Sequence, residues 1–460
     1  VPQSYFPVCW VARCKLQRTR IAILGLAKIR VNPRPIEGGD TSGQRASAAG
    51  VVVSYLSGTI HSYSQRVEAV VLTATKVRIY PTPEQADFLN QQFGAVRFTY
   101  NKALHIISSQ YKRHGTKLRA KKDLKPLLAV AKKSRNYHWL KAFDSIALQQ
   151  ACINLDRAFQ NFFNPQLKAR YPRFKRKHGK QSSYHCTSVK AGNDWIKVPK
   201  LTPIKARIHR EIAGTLKSIT LTRTPTGKYF ASLLVEDGVE AAAPLQTVET
   251  VLGVDMGLTH LAIDSTGRKV ANPRFLKLAS ANLRRKQKAL SRCQKGSKRR
   301  TKARLMLAKA HERLANVRAD FQHKLSRQLI DDNQAVVVET LSVKNMLKNR
   351  KLAKHIADAS WSRLIEKLAY KAKQQGKHLV RIDQWFASSK TCAGCGHKVE
   401  QMPLSVRTWD CPSCGTKAID RDVNAAITIR QQGILKLKAE GLSVSAHRGL
   451  CKTGHAPAAA

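Results

Sequence analysis

The chain has 460 residues, of which 82 are Lys or Arg and 29 are Asp or Glu, a formal charge of +53. At 43% hydrophobic it carries apolar material for sizeable cores, and at ~150 residues per domain it should hold two to four compact units, which excludes chain-wide disorder. So large an excess of one sign repels itself unless a polyanion is near, which makes nucleic acid the expected partner and argues against a small-molecule enzyme or a secreted carrier.

Residues 1–69 have weak periodicity and a Gly/Ser/Ala-rich patch from Gly38 to Gly50, so a poorly ordered extension outside the functional fold is expected there. The longest early apolar run, Ile21 to Ala27, is far short of the ~18 residues of a membrane span and lacks a signal-peptide pattern, so no membrane partner is expected. Order is expected from Val70. Val77, Ile79 and Tyr80 close a short strand, and Pro81-Thr82-Pro83-Glu84-Gln85 reads as a turn in which Thr82 caps a helix. That helix carries Leu89, Phe93, Val96, Tyr100 and Leu104 at helical spacing. A second spans Ser145 to Phe163, with Leu148, Cys152, Leu155, Phe159 and Phe162 on one face. Lys168 to Lys180 is a basic loop with Tyr171 and Phe174 interleaved. Residues 184–236 are rich in Thr, Val, Ile, Tyr and Phe between turns such as Thr226-Gly227. That predicts a small β-barrel or sheet, with the preceding helices inserted after its first strand.

From Val248 the pattern becomes α/β. Val251 to Asp255 reads as a buried strand paired with Leu258 to Asp264, and further strands are expected at Ala335 to Thr340 and His378 to Asp383, around a helix from Trp361 to Gln375. Between them, residues 280–330 predict a helical hairpin broken at Lys295-Gly296-Ser297-Lys298, with Leu307, Leu314 and Phe321 forming a seven-residue seam. Arg274 to Arg327 holds eighteen Lys/Arg against two acids, more than solubility needs, and is expected to meet phosphates. A final helix is expected to start near Asp422.

Three carboxylates stand out in a chain with so few. Asp255 ends an apolar strand, Glu339 ends another, and Asp422 opens the last helix. Any one alone is unremarkable as a strand-end or capping acid. Together in one α/β unit, they can converge at one sheet edge and hold two hard divalent ions, Mg²⁺, ~3.5–4 Å apart, one activating water and one stabilising the leaving oxygen of a phosphodiester. Cys392-x-x-Cys395 and Cys411-x-x-Cys414 lie fifteen residues apart, each pair followed by a glycine, Gly396 or Gly415. Four thiolates suit a closed, structural Zn²⁺ site, with an iron–sulfur cluster or a redox pair as rivals. Such spacing, without a scattered disulfide framework, fits a reducing compartment, and a cytoplasmic protein is expected. Gln149 and Gln150, with Tyr100 and Asn101, are candidates for nucleic-acid contact because Gln amides can pair with adenine edges, although a Gln on an amphipathic helix is more often simply solvated. Trp361, Trp385 and Phe386 are expected in the core or an interface.

These motifs resemble the TnpB family of transposon-encoded proteins, also described as OrfB-type transposases, which are related to type V CRISPR effectors. The resemblance rests on Lys76-Val77-Arg78-Ile79-Tyr80-Pro81-Thr82-Pro83-Glu84-Gln85, Gly94-Ala95-Val96-Arg97 with Tyr100-Asn101, Leu148-Gln149-Gln150-Ala151 and Tyr171-Pro172-Arg173-Phe174-Lys175. It continues through Gly253-Val254-Asp255-Met256-Gly257, Val338-Glu339-Thr340-Leu341, Ser388-Ser389-Lys390-Thr391-Cys392, the cysteine pairs and Asp420-Arg421-Asp422-Val423-Asn424-Ala425-Ala426, and covers about 76 to 448.

The resemblance implies a multidomain α/β protein. It would have a wedge-type β-barrel (70–81 and 184–245) with an inserted helical recognition domain (82–183). An RNase H-like (RuvC) nuclease (248–390 and 416–445) would contain an inserted four-cysteine zinc ribbon (391–415), and 446–460 would form a flexible tail. It implies Mg²⁺ on Asp255, Glu339 and Asp422, with Asp420 and Asn424 in support, Asp420 either pairing Arg421 or orienting a ligand. Arg173 and Lys175 join the nucleic-acid candidates on the same ground. The segment Lys417-Ala418-Ile419 lacks a His that many members carry. The implied activity is RNA-guided cleavage of double-stranded DNA, with a guide RNA from the transposon end and a nucleoid-associated location. A DNA strand-transfer transposase and a non-cleaving nucleic-acid-binding regulator are the alternatives.

Overall fold

The computed structural model describes residues 70–177, 182–240, 242–403 and 405–445, so the expected N-terminal extension and C-terminal tail lie outside the described residues. The first sheet begins with β1 (Val70–Tyr80), longer than the short strand expected because it is central and paired on both sides. Its partners are β7 (Tyr229–Glu240) along its length and β5 (Ile204–Arg207) at its end, all antiparallel. With β2 (Ser182–Cys186), β3 (Lys190–Ala191), β4 (Trp195–Lys197) and β6 (Thr215–Arg223), the order is β2-β6-β7-β1-β5-β4-β3. The hydrogen-bonded order therefore has two ends, β2 and β3. The strand pleat puts Val77 and Ile79, 1% and 2% exposed, into the core and sends Lys76, Arg78 and Tyr80 to the opposite face.

Between β1 and β2 the chain is helical. In α1 (Pro83–His114) Thr82 accepts from Gln85 N while Gln85 Oε1 accepts from Thr82 N, a reciprocal cap that satisfies two otherwise orphaned donors. The helix stops at Gly115, whose φ of 65° suits a residue without Cβ. A short α2 (Lys125–Ala131) precedes α3 (Ser145–Phe163), capped by Asp144, which accepts from Ile146 N. Leu148, Cys152 and Leu155 of α3 are fully buried in the same apolar core as Leu89, Leu104, Tyr184 and Leu233, so helices and sheet share one interior.

The second sheet contains β9 (Val251–Asp255), β10 (His260–Asp264), β11 (Lys269–Ala271), β12 (Ala335–Val338) and β13 (His378–Arg381). Its order is β11-β10-β9-β12-β13, the first three antiparallel and β12 and β13 parallel to β9. Both faces of the inner strands are covered, which is why they read as unbroken apolar runs. Leu252, Val254, Val336 and Val338 pack with Leu325 and Leu329 of α5 (Lys298–Asp331) and with Trp361 and Leu364 of α8 (Trp361–Gln374). Val251, Ala335 and Val337 face Ile429 and Leu437 of α9 (Arg421–Ala439) on the other side.

The expected helical hairpin is present, with α4 (Phe275–Arg292) joined to α5. Short helices α6 (Val343–Met346) and α7 (Ala353–Ala359) follow β12. A small unit between β13 and α9 has β14 (Thr408–Trp409) paired with β15 (Ile419–Asp420), while β8 (Thr247–Val248) pairs with β16 (Ser443–Val444) beside the end of α9. Among the described residues, no helix is long and apolar enough to cross a membrane.

Candidate functional site

Strand register carries the first two carboxylates to one edge. Val338 of β12 lies opposite Val254 of β9 in a parallel pair, so the next residues, Glu339 and Asp255, sit side by side at that end of the sheet. The third acid arrives because α9 rests directly on β9. A Cβ on Gly253 would lie 2.1 Å from the Ala426 carbonyl, and one on Gly433 would lie 2.2 Å from Val337 Cγ2. These two glycines allow close backbone approach, which sets the first turn of α9, with Asp422, beside the strand ends.

The electrostatics report the result. The Asp255 carboxyl is pushed up to about 7, first by burial and then by the charges of Glu339 and Asp422, against a lesser pull from the Met256 N–H and Arg421. Glu339 is also raised by burial, and only the Ser388 hydroxyl, donating to Glu339 Oε1 at 2.5 Å, opposes this. Two other buried acids are satisfied within the protein. Asp358 accepts from Leu276 N and pairs with Arg318 at 2.7 Å, and Asp264 accepts from Thr266 and Arg268 in a turn. Among the described residues, Asp255 and Glu339 have no cationic partner within salt-bridge distance, whereas Asp422 has Arg407 Nη1 at 3.4 Å. Three oxygen donors, two of which raise the proton affinity of Asp255, without a His or Cys among them, fit a hard divalent cation.

Asp420 and Asn424 hold the surroundings. Asp420 caps α9, accepting from Asp422 N and Val423 N at 3.0 Å, and pairs with Lys269 at 2.5 Å. It does not pair with Arg421, whose buried guanidinium donates to the carbonyls of Pro403 and Val406, because the helix start turns that side chain toward the small unit. Asn424 donates to Thr391 O at 2.7 Å and accepts from Ala393 N at 2.8 Å, clamping the backbone on both sides of Cys392.

The four cysteines gather on that clamp. Cys392, Cys395, Cys411 and Cys414 bring their sulfurs within 4.8 Å of one another, the only such group of candidate ligands among the described residues. The carboxylates are spread more widely. Cys392 and Cys414 are 3.8 Å apart and Cys395 and Cys411 3.6 Å, against the ~3.8 Å edge of a tetrahedron with Zn–S bonds of ~2.3 Å. The two loops are built alike. Gly396 N donates to Cys392 O and Gly415 N to Cys411 O, and both glycines have positive φ, so the sulfur set fits a closed metal site.

The nucleic-acid candidates divide. Asn101 spends both ends of its amide on the backbone of Lys175, at 2.8 and 2.9 Å, and Lys175 Nζ lies 4.1 Å from the ring of Tyr100, itself buried in the core. Asn101 and Tyr100 thus anchor the basic loop to α1 and are not displayed for base reading. Arg173 and Lys175 are exposed, Gln149 is half-buried on α3, and Gln150 donates to Asn154. Trp361 is in the core, and Trp385, expected in the core or an interface, is outside the core at 84% exposure, where Asp383 Oδ1 accepts from Trp385 N. Sequence reasoning assigned no role to Ser388, Arg407 or Lys269. The only signal was Ser388's place in the Ser-Ser-Lys-Thr-Cys run.

Three family models match the chain: OrfB_IS605, a probable transposase, over 232–350, the Cas12f1-like TNB domain over 361–429, and an OrfB_IS605 helix-turn-helix domain over 71–116. A Streptomyces pristinaespiralis protein, provisionally named an RNA-guided DNA endonuclease, is 39% identical over 390 residues, 84% of this chain and 94% of its own length. The chain belongs to the TnpB family. Escherichia coli InsQ, with the same provisional name, is 29% identical over 79% of this chain and 92% of its own length, and the mimivirus TnpB-like protein L770 is 24% identical over 79% and 74%. In this TnpB-family chain, 71–116 folds as one strand followed by one continuous helix, whatever the matching model's name.

Proposed function

We propose that this TnpB-family protein is an RNA-guided DNA endonuclease, with one RuvC-like site formed by Asp255, Glu339 and Asp422. The observation that carries this reading is that Glu339 and Asp422 both lie within electrostatic reach of Asp255 at the edge of a β11-β10-β9-β12-β13 sheet. That order, with the second strand antiparallel, supports an RNase H-like nuclease. The names of the relatives support the guided activity and its DNA substrate.

Mg²⁺ bound there would supply an activated water and charge neutralisation at the leaving oxygen. The protein's own part is to hold Asp255 and Glu339 at adjacent strand ends, to fix Glu339 through Ser388, and to anchor Asp422 on a helix start capped by Asp420. Burial lowers the local dielectric, so phosphate charge there is felt more strongly than in water. Zn²⁺ in the cysteine site would be structural, and Asn424 would pass its rigidity to the first turn of α9. The +53 charge suits gripping a guide RNA from the transposon end together with target duplex DNA. We further read the first sheet as the wedge domain and its inserted helices as the recognition domain.

The test is to purify the full chain after co-expression with its flanking DNA, sequence the RNA that copurifies, and challenge the complex with matched and mismatched targets. Cleavage of matched DNA alone, dependent on that RNA, is expected. RNA-independent joining of transposon ends would overturn this reading in favour of a strand-transfer enzyme.

A further inference from the structure

The three acids are not held alike. Asp255 ends β9 and Asp422 stands on a capped helix start, whereas Glu339 lies just past β12 and is steadied by a hydroxyl from another segment. Ser388 donates to Glu339 Oε1, which leaves Oε2 for a cation. A serine hydroxyl turns freely about its own Cα–Cβ bond, so its aim depends on where the serine backbone is fixed. Ser388 opens a single 3-10 turn (Ser388–Lys390) in the connection from β13 to the cysteine loops, outside both large sheets.

The anchor for that turn is α9. Asn424, Thr428 and Gln431 recur at intervals of four and three residues along the helix, hence on one face. All three spend side-chain hydrogen bonds on the backbone of the Ser388–Ala393 segment. Thr428 Oγ1 donates to Ser388 O at 3.1 Å, Asn424 Nδ2 to Thr391 O at 2.7 Å, and Gln431 Nε2 to Ala393 O at 2.9 Å. Asn424 and Gln431 thus hold the cysteine end of the segment, and Thr428 holds the carboxylate end. The Thr428 hydroxyl also lies 2.9 Å from Ala425 O, the usual back-bond of a helical threonine, so its one proton is shared between its own helix and Ser388. Thr428 is 2% exposed and Ser388 5%, so solvent does not simply make good the loss of that bond. For packing alone a valine would fill the same space. The hydroxyl is what reaches Ser388.

We propose that Thr428 is a positioning residue for the nuclease reaction, anchoring the Ser388 carbonyl to α9 so that the Ser388 hydroxyl holds Glu339 with Oε2 free for a divalent cation. One helix then bears on two of the three acids, on Asp422 through its own first turn and on Glu339 through Thr428 and Ser388. The inference rests on the reading of the carboxylates as a metal site, and the experiment separates the two.

Mn²⁺ is titrated into the full-length protein without nucleic acid, and the free ion is read by its electron paramagnetic resonance signal. Thr428→Val should weaken binding about 3- to 10-fold, below the ~10- to 100-fold loss typical of a group bonded directly to a metal ligand, while Thr428→Ser keeps wild-type affinity. In a Ser388→Ala background Thr428→Val should cost nothing further, because the group through which it acts is gone. Zinc content should match wild type, since Asn424 and Gln431 remain. Wild-type affinity in Thr428→Val, an equal loss in the Ser388→Ala background, or loss of zinc together with manganese would overturn the proposal and assign Thr428 to packing. Thr428→Ala repeats each measurement if the valine variant does not fold. Asp255→Asn tests the reading beneath and should abolish binding. Unchanged binding in Asp255→Asn would overturn the carboxylate site and this inference together, whereas an unaltered Thr428→Val beside a non-binding Asp255→Asn would overturn this inference alone.

Discussion

The sulfur site and the carboxylate site lie on the two sides of the start of α9, yet they are assembled in opposite ways. Each cysteine pair is local, two residues apart around a glycine turn, and only two loops must meet for the four sulfurs to come within 4.8 Å. The acids come from 255, 339 and 422, and their convergence depends on strand register and on two glycines that let a helix lie against a sheet. Thiols can approach one another neutral, whereas carboxylates gathered without a cation resist ionisation, as the raised Asp255 carboxyl shows. One site is set by short loops around the metal it fits. The other is imposed by the fold at an electrostatic cost.

The sharpest break between them should come from Asp255. Asp255→Ala is expected to reduce DNA cleavage about a thousand-fold or more while leaving RNA binding nearly intact, and undiminished cutting would remove the carboxylate from the site. Asp255→Asn should be equally inactive yet more stable than wild type in EDTA, by about 1–3 kcal/mol at neutral pH. The sign follows from the raised folded-state value. The unfolded chain ionises above about 3.8 while the folded carboxyl keeps its proton to about 7, so metal-free stability contributed by this group falls as pH rises through that interval. The lower part of the range is expected because the side chain keeps partial contact with solvent. Melting curves of both proteins from pH 4 to 8 read this directly, and curves that stay parallel would count against it.

On the sulfur side the opposite response is expected. Cys411→Ser should lose bound zinc and several kcal/mol of stability in the small unit, because among the described residues its buried core is Cys392, Trp409 and Cys411 with a few half-buried neighbours. Metal analysis with a melting curve tests this, and a wild-type protein free of zinc would refute it.

Gly253→Ala acts on the fold that joins the sites. Its Cβ would meet the Ala426 carbonyl, so a loss of about 1–3 kcal/mol is expected, with cleavage falling as Asp422 is displaced and zinc content unchanged. Ser388→Ala is the mildest. Removing the hydroxyl that steadies ionised Glu339 should lower cleavage about 3- to 10-fold and move the pH–rate profile to higher pH, since Glu339 then ionises later. A profile that stays in place would assign Ser388 to packing alone.

Much of this arrangement was legible in local pattern. The unbroken Val251–Val254 and Ala335–Val338 runs announce strands covered on both faces, and the Thr82 cap and the apolar period from Ser145 mark helix starts that the structure places at Pro83 and Ser145. The α4–α5 break at Gly296 was equally plain. Trp385 and Asn101 were not. Whether a tryptophan faces solvent depends on an Asp383 turn, and whether an amide is free depends on a loop 74 residues away. Neither has a period that a sequence can display.

By itself the sequence determined the chemistry on offer: few acids, a four-thiol set at metal spacing, a large positive charge, and elements whose apolar periods are local. Only the tertiary structure decided which groups meet. It set Asp255 beside Glu339 through parallel register, brought Asp422 to them through glycines on both sides of a helix–sheet contact, and gave Asp420 to Lys269. Periodicity is a property of neighbouring residues, whereas these pairings span from about eighty to over a hundred and fifty positions and are selected by how whole surfaces pack.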